Sequence, residues 1–328
     1  MRGGVECLLV AVGVSLVSAC SVGNADEGFR KFDRIFEPSG VAQMADGRFL
    51  VVEDESSQPV SLFSLDADGN AQEQALWRKS LTGWLSPNRA LGILEDLEDV
   101  SIDEAGRIYA ITSHSRKSGG KRDDEREHIV RFVLRGDDVV DMQFRRGLRK
   151  AITHGHEFLR EASKVRDVKD DGGFNIEGLS FDRERRHLLI GLRAPLMDER
   201  AVVVTLRNPH GMFDADEAPQ IDDRLTLLDL DRGGIRAMAW DPHLGGYLIV
   251  SRRPDKNFKL WLWDGHRDSQ PVRLRAPEIG KLRQAEGVTP VVRDGVPAGV
   301  LIVSDEGDGL RGKPGRFVFI SYSQIRPE

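Results

Sequence analysis

The chain of 328 residues reads as an all-β protein, a five-bladed β-propeller with six blades as the alternative count. Three observations carry this expectation: one hairpin unit recurs five times, its spacing matches a four-stranded blade, and a strand near the N-terminus fits the gap in the last unit. The clearest copy is NIEGLSFDRERRHLLIGLRAP, from Asn175 to Pro195. Two apolar segments flank a charged turn there, which is a hairpin pattern. Relatives are EPSGVAQMADGRFLVVEDE from Glu37, DLEDVSIDEAGRIYAITSHS from Asp96, GIRAMAWDPHLGGYLIVSRRP from Gly234 and AEGVTPVVRDGVPAGVLIVSDEG from Ala285. Aligned at Gly40, Asp99, Gly178, Ala237 and Gly287, they are 59, 79, 59 and 50 residues apart. Repeats near 40–50 residues with several short strands each mark propeller blades, which bury their faces only against their neighbours.

Outer strands follow each hairpin. Blade one continues with VSLFSLD and AQEQALW, blade two with HIVRFVL and DVVDMQF, blade three with AVVVTL and RLTLLDL, and blade four with FKLWLWD and PVRLRA. Blade five has only GRFVFISYS. The alternating stretch Phe29 to Phe36 is its expected outer strand, which would close the ring and remove open sheet edges. In the longest step, Phe158, Leu159, Ala162 and Val165 fall at helical spacing, predicting one inserted short helix with Thr153 as N-cap. SHSRKSGGKRDDERE before it, and Lys169 to Gly173 after it, read as surface loops.

The beginning of the chain has another character. Arg2, an apolar run from Cys7 to Val17 and small residues before Cys20 form a secretory signal, too short for a spanning helix of about 20 residues. Val17-Ser18-Ala19-Cys20 resembles the lipobox of bacterial lipoproteins, which implies cleavage before Cys20 and acylation of its thiol. The expected organisation is a signal over 1–19, a tether over 20–28 and one propeller domain over 29–328. Ser21 after the acylated cysteine implies the periplasmic side of the outer membrane. With Cys7 removed and Cys20 acylated, the folded body has no thiol for a disulfide or a Cys-ligated zinc.

Asp and Glu number 53 against 47 Lys and Arg, a formal net charge of −6. That balance, with the export signal, argues against a nucleic-acid partner. The basic groups Arg145-Arg146 with Arg149-Lys150, and Arg183 with Arg185-Arg186, read as solvated turns. A monomer is expected, attached to the membrane by its lipid.

Antiparallel inner strands place the start of the first and the end of the second on one face of the disc. The starts supply Glu37, Glu98, Glu177, Arg236 and Glu286; the ends supply Asp54, His114, Arg193, Arg252 and Asp305. Acids so close resist joint ionisation unless a cation or the arginines compensate. Three roles stay open. Glu98, Glu177 and Glu286 can hold Ca²⁺ or Mg²⁺; Arg193, Arg236 and Arg252, with Asp54 and Asp305 beside them, can bind an anionic ligand, with His114 as catalytic acid/base; or the charges form a structural ion-pair belt. Other motifs fail on context. Gly307 to Gly312 matches G-x-G-x-x-G but leads into a strand, Ser118 to Lys121 matches S-x-x-K across two glycines, and His154 and His156 diverge on a helix.

NIEGLSFD with GLRAP, DLEDVSID with ITSHS, GIRAMAW, and EGV with IVSDEG resemble the bacterial family of domain of unknown function 3616. More distantly the arrangement is similar to phytase-like esterase and gluconolactonase propellers, which implies metal-assisted hydrolysis of phosphoesters or lactones. Arg236 departs from that pattern where other repeats carry an acid. The leading expectation is a lipid-anchored periplasmic propeller whose charged face binds a small anionic or metal-bridged ligand, or an envelope protein. A metal-dependent hydrolase and a non-catalytic scaffold are the alternatives.

Overall fold

The computed structural model describes residues 28–54, 57–80, 82–117, 119–166, 172–253, 258–277, 279–281 and 283–328. Expectations about the signal, Cys20 and the tether up to residue 27 fall outside these residues, as do Ser118 and most of the loop from Lys169 to Gly173. No helix among them is long and apolar enough to cross a membrane.

The architecture is a five-bladed β-propeller. Blade one is built from Pro38–Gln43, Phe49–Glu53, Val60–Leu65 and Ala71–Ala75. Blade two uses Leu97–Ile102, Ile108–Thr112, Ile129–Arg135 and Asp138–Arg145. Blade three uses Asn175–Asp182, His187–Ala194, Ala201–Leu206 and Thr226–Leu228. Blade four uses Gly234–Asp241, Gly246–Arg252, Phe258–Trp263 and Val272–Arg275. Blade five uses Ala285–Arg293, Val296–Ser304 and Arg316–Ser321. All neighbours within a blade pair antiparallel, and apolar clusters fill the spaces between blades.

The N-terminal segment closes blade five, but only Arg30–Lys31 pairs with its third strand. Beyond Lys31 the chain leaves the ladder because Glu73 of blade one accepts hydrogen bonds from the backbone N–H groups of Asp33, Arg34 and Ile35 at 2.6–3.1 Å. Phe32 is then driven between Phe63 of blade one and Phe317 of blade five, with ring centroids 5.2 and 4.8 Å away. The seam is therefore an aromatic plug with a short clasp. At the other terminus, Arg326–Pro327 adds a fifth strand to blade four, which the repeat pattern does not foretell.

The insertion before blade three forms two helices, Leu148–Gly155 and Glu157–Ala162. Thr153 lies inside the first and caps nothing; the helix starts after Gly147, at φ +89°. The earlier start buries Leu148, Arg149 and Ile152. Arg149 is thus part of the protein interior, not a solvated turn. Its guanidinium donates to the carbonyls of His114 and Ser163.

Each inner strand carries a bulge at one shared register. Pairing skips a residue between Pro38 and Gly40, Leu97 and Asp99, Ile176 and Gly178, Ile235 and Ala237, and Ala285 and Gly287. The residues left over are Ser39, Glu98, Glu177, Arg236 and Glu286. A bulge re-aims the extra side chain and ends regular pairing, so every blade presents its bulged residue at one mouth of the central channel.

The aligned position just after the bulge lies on the axis, where there is almost no room. A Cβ on Gly40 would sit 2.6 Å from the Asp99 Cα. Four of the five repeats have Gly or Ala there, and the fifth spends the space on Asp99. Its carboxylate accepts from the N–H groups of Val100 at 2.8 Å, Leu179 at 2.7 Å and Met238 at 3.2 Å. One side chain thereby ties blades two, three and four at the axis and plugs the channel.

Candidate functional site: the charged mouth

Above the Asp99 plug the mouth divides into two halves. In blades three to five the charges are paired. Arg236 lies between Glu177 and Glu286 and ion-pairs with both. Glu177 also receives Arg193 at 2.7 Å and the Asn175 amide at 2.9 Å. Arg236, Glu177 and Glu286 are all buried. The Glu177 charge holds the Arg193 pKa above the ordinary arginine value, whereas burial lowers that of Arg236. This half is an ion-pair belt. A guanidinium stands between two of the three carboxylates expected to share a metal ion, so Glu98, Glu177 and Glu286 do not form a cation cage.

The half made by blades one and two carries an excess of acid. Backbone hydrogen bonds run around it, from Asp54 to Glu37, Asp96 to Asp54, Ser113 to Asp96 and Ile176 to Ser113, at 2.9–3.3 Å. They gather Asp54, Asp96 and Glu98. Asp96, held at φ +63°, pairs with Arg126 at 3.1 Å and accepts from the Ser113 hydroxyl. Asp54 is exposed at the rim, yet crowding by the funnel wall and the adjacent Asp96 carboxyl push its pKa up to about 8. Water at the rim moderates that shift, and the like charge beside it fixes its direction. Glu98 is held well above the ordinary carboxyl range by burial first and then by Glu177, Asp96 and Asp54. Among the described residues it makes no hydrogen bond or ion pair. Glu98 is half-buried, and the rise favours its neutral, hydrogen-bond-donating form.

Arg252 is its counterpart. The guanidinium is half-buried, stacks on Phe258 at 5.7 Å and has no carboxylate partner among the described residues. Burial, followed by repulsion from Arg193, lowers its pKa. Asp305 completes the ring in blade five, its backbone N–H bonded to the Gln284 carbonyl at 2.9 Å.

Two sequence assignments slip in register. The residues equivalent to Asp54, Arg193, Arg252 and Asp305 include Ser113, not His114, because Asp99 pairs with Ile111 as Gly40 pairs with Val52. A shift of one residue turns a side chain to the other face. His114 is accordingly fully buried behind the strand, its Nδ1–H donating to the Thr112 carbonyl at 2.8 Å, and desolvation lowers its pKa to about 4. It does not join the mouth. Likewise Ser39, not Glu37, is the bulged residue of blade one, and Glu37 aligns with Asp96. The missed members Asp96, Ser113 and Arg126 had one available signal: Asp96 precedes Asp99 by the same three residues that separate Glu37 from Gly40.

Among the described residues, the acidic cluster of Glu95, Asp123 and Glu125 brings three ligand atoms within 4.8 Å of one another. The Lys117 ammonium bonds Glu95 at 3.0 Å and also pairs with Asp123, so a cation of the protein already fills it.

The profile of the family "Protein of unknown function (DUF3616)" matches residues 107–318. The chain belongs to that family. No curated protein matches it. Solved structures similar to the DUF3616 chain share little sequence with it. A gluconolactonase from Xanthomonas campestris is 12% identical, with 90% of this chain and 84% of the other covered and a TM-score of 0.39. The Malassezia sympodialis allergen Mala s 1 is 12% identical, covering 88% and 78%, with a TM-score of 0.41. A GH43 β-1,3-galactosidase is 10% identical, covering 91% and 94%, with a TM-score of 0.45.

Proposed function

We propose that this protein binds a small anionic ligand at the charged mouth, on the periplasmic side of the outer membrane, where acylated Cys20 tethers it. The observation that carries the reading is a pair of ionisable groups at the mouth without partners of their own. Arg252 lacks an anion and Glu98 lacks a partner of any kind among the described residues. A half-buried guanidinium beside Arg193 favours a carboxylate or phosphate that spans the two. Glu98, whose surroundings favour the neutral form, then donates to an oxygen of the same ligand. A divalent ion bridging to the ligand would find its oxygen ligands on the side of Asp54, Asp96 and Glu98, not between Glu177 and Glu286.

Calorimetric titration with inorganic phosphate and with gluconate, each with and without Ca²⁺, tests this. Removing a charged hydrogen-bonding partner is worth about 1.5–3 kcal/mol, so Arg252→Ala should weaken binding roughly 10- to 100-fold. Unchanged binding after combined Arg193→Ala and Arg252→Ala overturns the reading. Radiolabelled palmitate incorporation, lost in Cys20→Ala, tests the anchor separately.

The unpartnered Glu98 carboxyl, its pKa raised by burial and by the neighbouring acids, also favours a second reading, hydrolysis of a phosphoester or lactone with Glu98 as the general acid in the role first given to His114. Turnover in a hydrolase panel, with and without chelator, that is lost in Glu98→Gln supports it. No turnover with any substrate dismisses it.

A further inference from the structure

The charged mouth leaves the other end of the channel unused. Below the Asp99 plug the inner strands continue, and the aligned positions two residues past the axis are Ala42, Ser101, Ser180, Ala239 and Thr289, all small. Period-two alternation turns them the same way as the axis residues. A ring of small side chains about 7 Å beyond a plugged axis leaves space, and a cavity of about 720 Å³ opens there at the face opposite the mouth. This is the size of a small-molecule site.

Its chemistry differs from that of the mouth. The wall is largely apolar and includes Met44, Trp240 and Val292. Trp240 is half-buried, braced edge-on by Tyr247 at 5.0 Å, and Val292 is 40% exposed. The wall is also fixed in place. Gln43 clasps Val292 across the seam between blades one and five, donating to its carbonyl at 2.9 Å and accepting from its N–H at 2.7 Å. The three acids that line it are each paired: Asp46 with Arg48 at 2.8 Å, Asp103 with Arg107 at 2.6 Å and Glu104 with Arg186 at 3.7 Å. Arg183, which also lines the cavity, is exposed and has no ion pair among the described residues. The cavity therefore offers a rigid apolar floor with one uncompensated cation at its edge.

We infer that this second funnel binds a small amphipathic anion, an apolar ring body carrying a single acidic group, with the body against Trp240 and Val292 and the acid on Arg183. The inference is independent of the ligand at the mouth. The probe is 1-anilinonaphthalene-8-sulfonate, which has this chemistry and reports its own burial by fluorescence. Titrated into the purified protein it should bind saturably at one equivalent, with energy transfer from tryptophan that falls in Trp240→Phe. Arg183→Ala should raise Kd about tenfold. Val292→Glu, which places a like charge at an exposed rim position that leaves the core intact, should raise it at least as much. Arg252→Ala, on the opposite face, should leave Kd unchanged. The inference is overturned by non-saturable binding, by Kd within twofold of wild type in both rim variants, or by loss of binding in Arg252→Ala.

Discussion

Replacing Asp99 by alanine should destabilise the protein at the axis. The carboxylate accepts three backbone N–H groups, two of them from blades three and four. With the acceptor gone, those donors stay buried where water has little room, and each unsatisfied donor costs about 1–3 kcal/mol. Taking the two inter-blade donors alone gives roughly 2–6 kcal/mol. Relief from burying a carboxyl, whose pKa burial holds well above its usual range, offsets part of this. A net loss of about 2–4 kcal/mol remains. Asp99→Asn keeps one oxygen acceptor, turns an N–H₂ toward an N–H, and should lose about half as much. Urea unfolding followed by circular dichroism and by tryptophan fluorescence gives both values, and coincident transitions would justify a two-state treatment. If Asp99→Ala lies within about 0.5 kcal/mol of wild type, the carboxylate does not hold the blades together and the account of the plugged axis is wrong.

Other expectations follow from the same contacts. Arg236→Met leaves Glu177 and Glu286 buried without their shared cation and should lower stability by about 3–5 kcal/mol in the same unfolding assay, much of it recovered by adding Glu177→Gln. Phe32→Ala should destabilise by about 3–5 kcal/mol, because the ring fills the seam between Phe63 and Phe317; an unaltered midpoint would mean the N-terminal segment does not close the ring. Asp54 has its pKa raised to about 8 in the fold, against about 3.9 unfolded. Its contribution is fully present below pH 4 and fades as pH rises to 8, since the folded state binds the extra proton. Melting temperatures of wild type relative to Asp54→Asn, measured from pH 4 to pH 9, should therefore drop across that window, and a flat difference would sink the assignment. Anion affinity at the mouth should fall over the upper part of the same range, as ionised Asp54 adds repulsion.

Much of the architecture was legible before any coordinates. Hairpin boundaries, blade count and outer strands follow from period-two apolar alternation and from recurrent turns, both local properties of the chain. The short clasp of Arg30–Lys31 was less legible, because Glu73, forty residues away, competes for the backbone of the same segment. That Glu98, Glu177, Arg236, Arg193 and Arg252 lie at one end of their strands follows from strand polarity, which is also a local property of the chain.

What the repeats alone determined is which residues share an end of the channel. Which of those charges are already spent was decided by tertiary structure. Arg236 reaches the carboxylates of blades three and five, and Asp99 reaches the backbones of blades three and four, through contacts between residues far apart in sequence. The bulges settle the rest: one extra residue per inner strand sets which side chain turns inward, so His114 yields to Ser113 and Glu37 to Ser39. A local pattern cannot place a bulge to the residue, because its position is fixed by how closely five backbones pack around one axis.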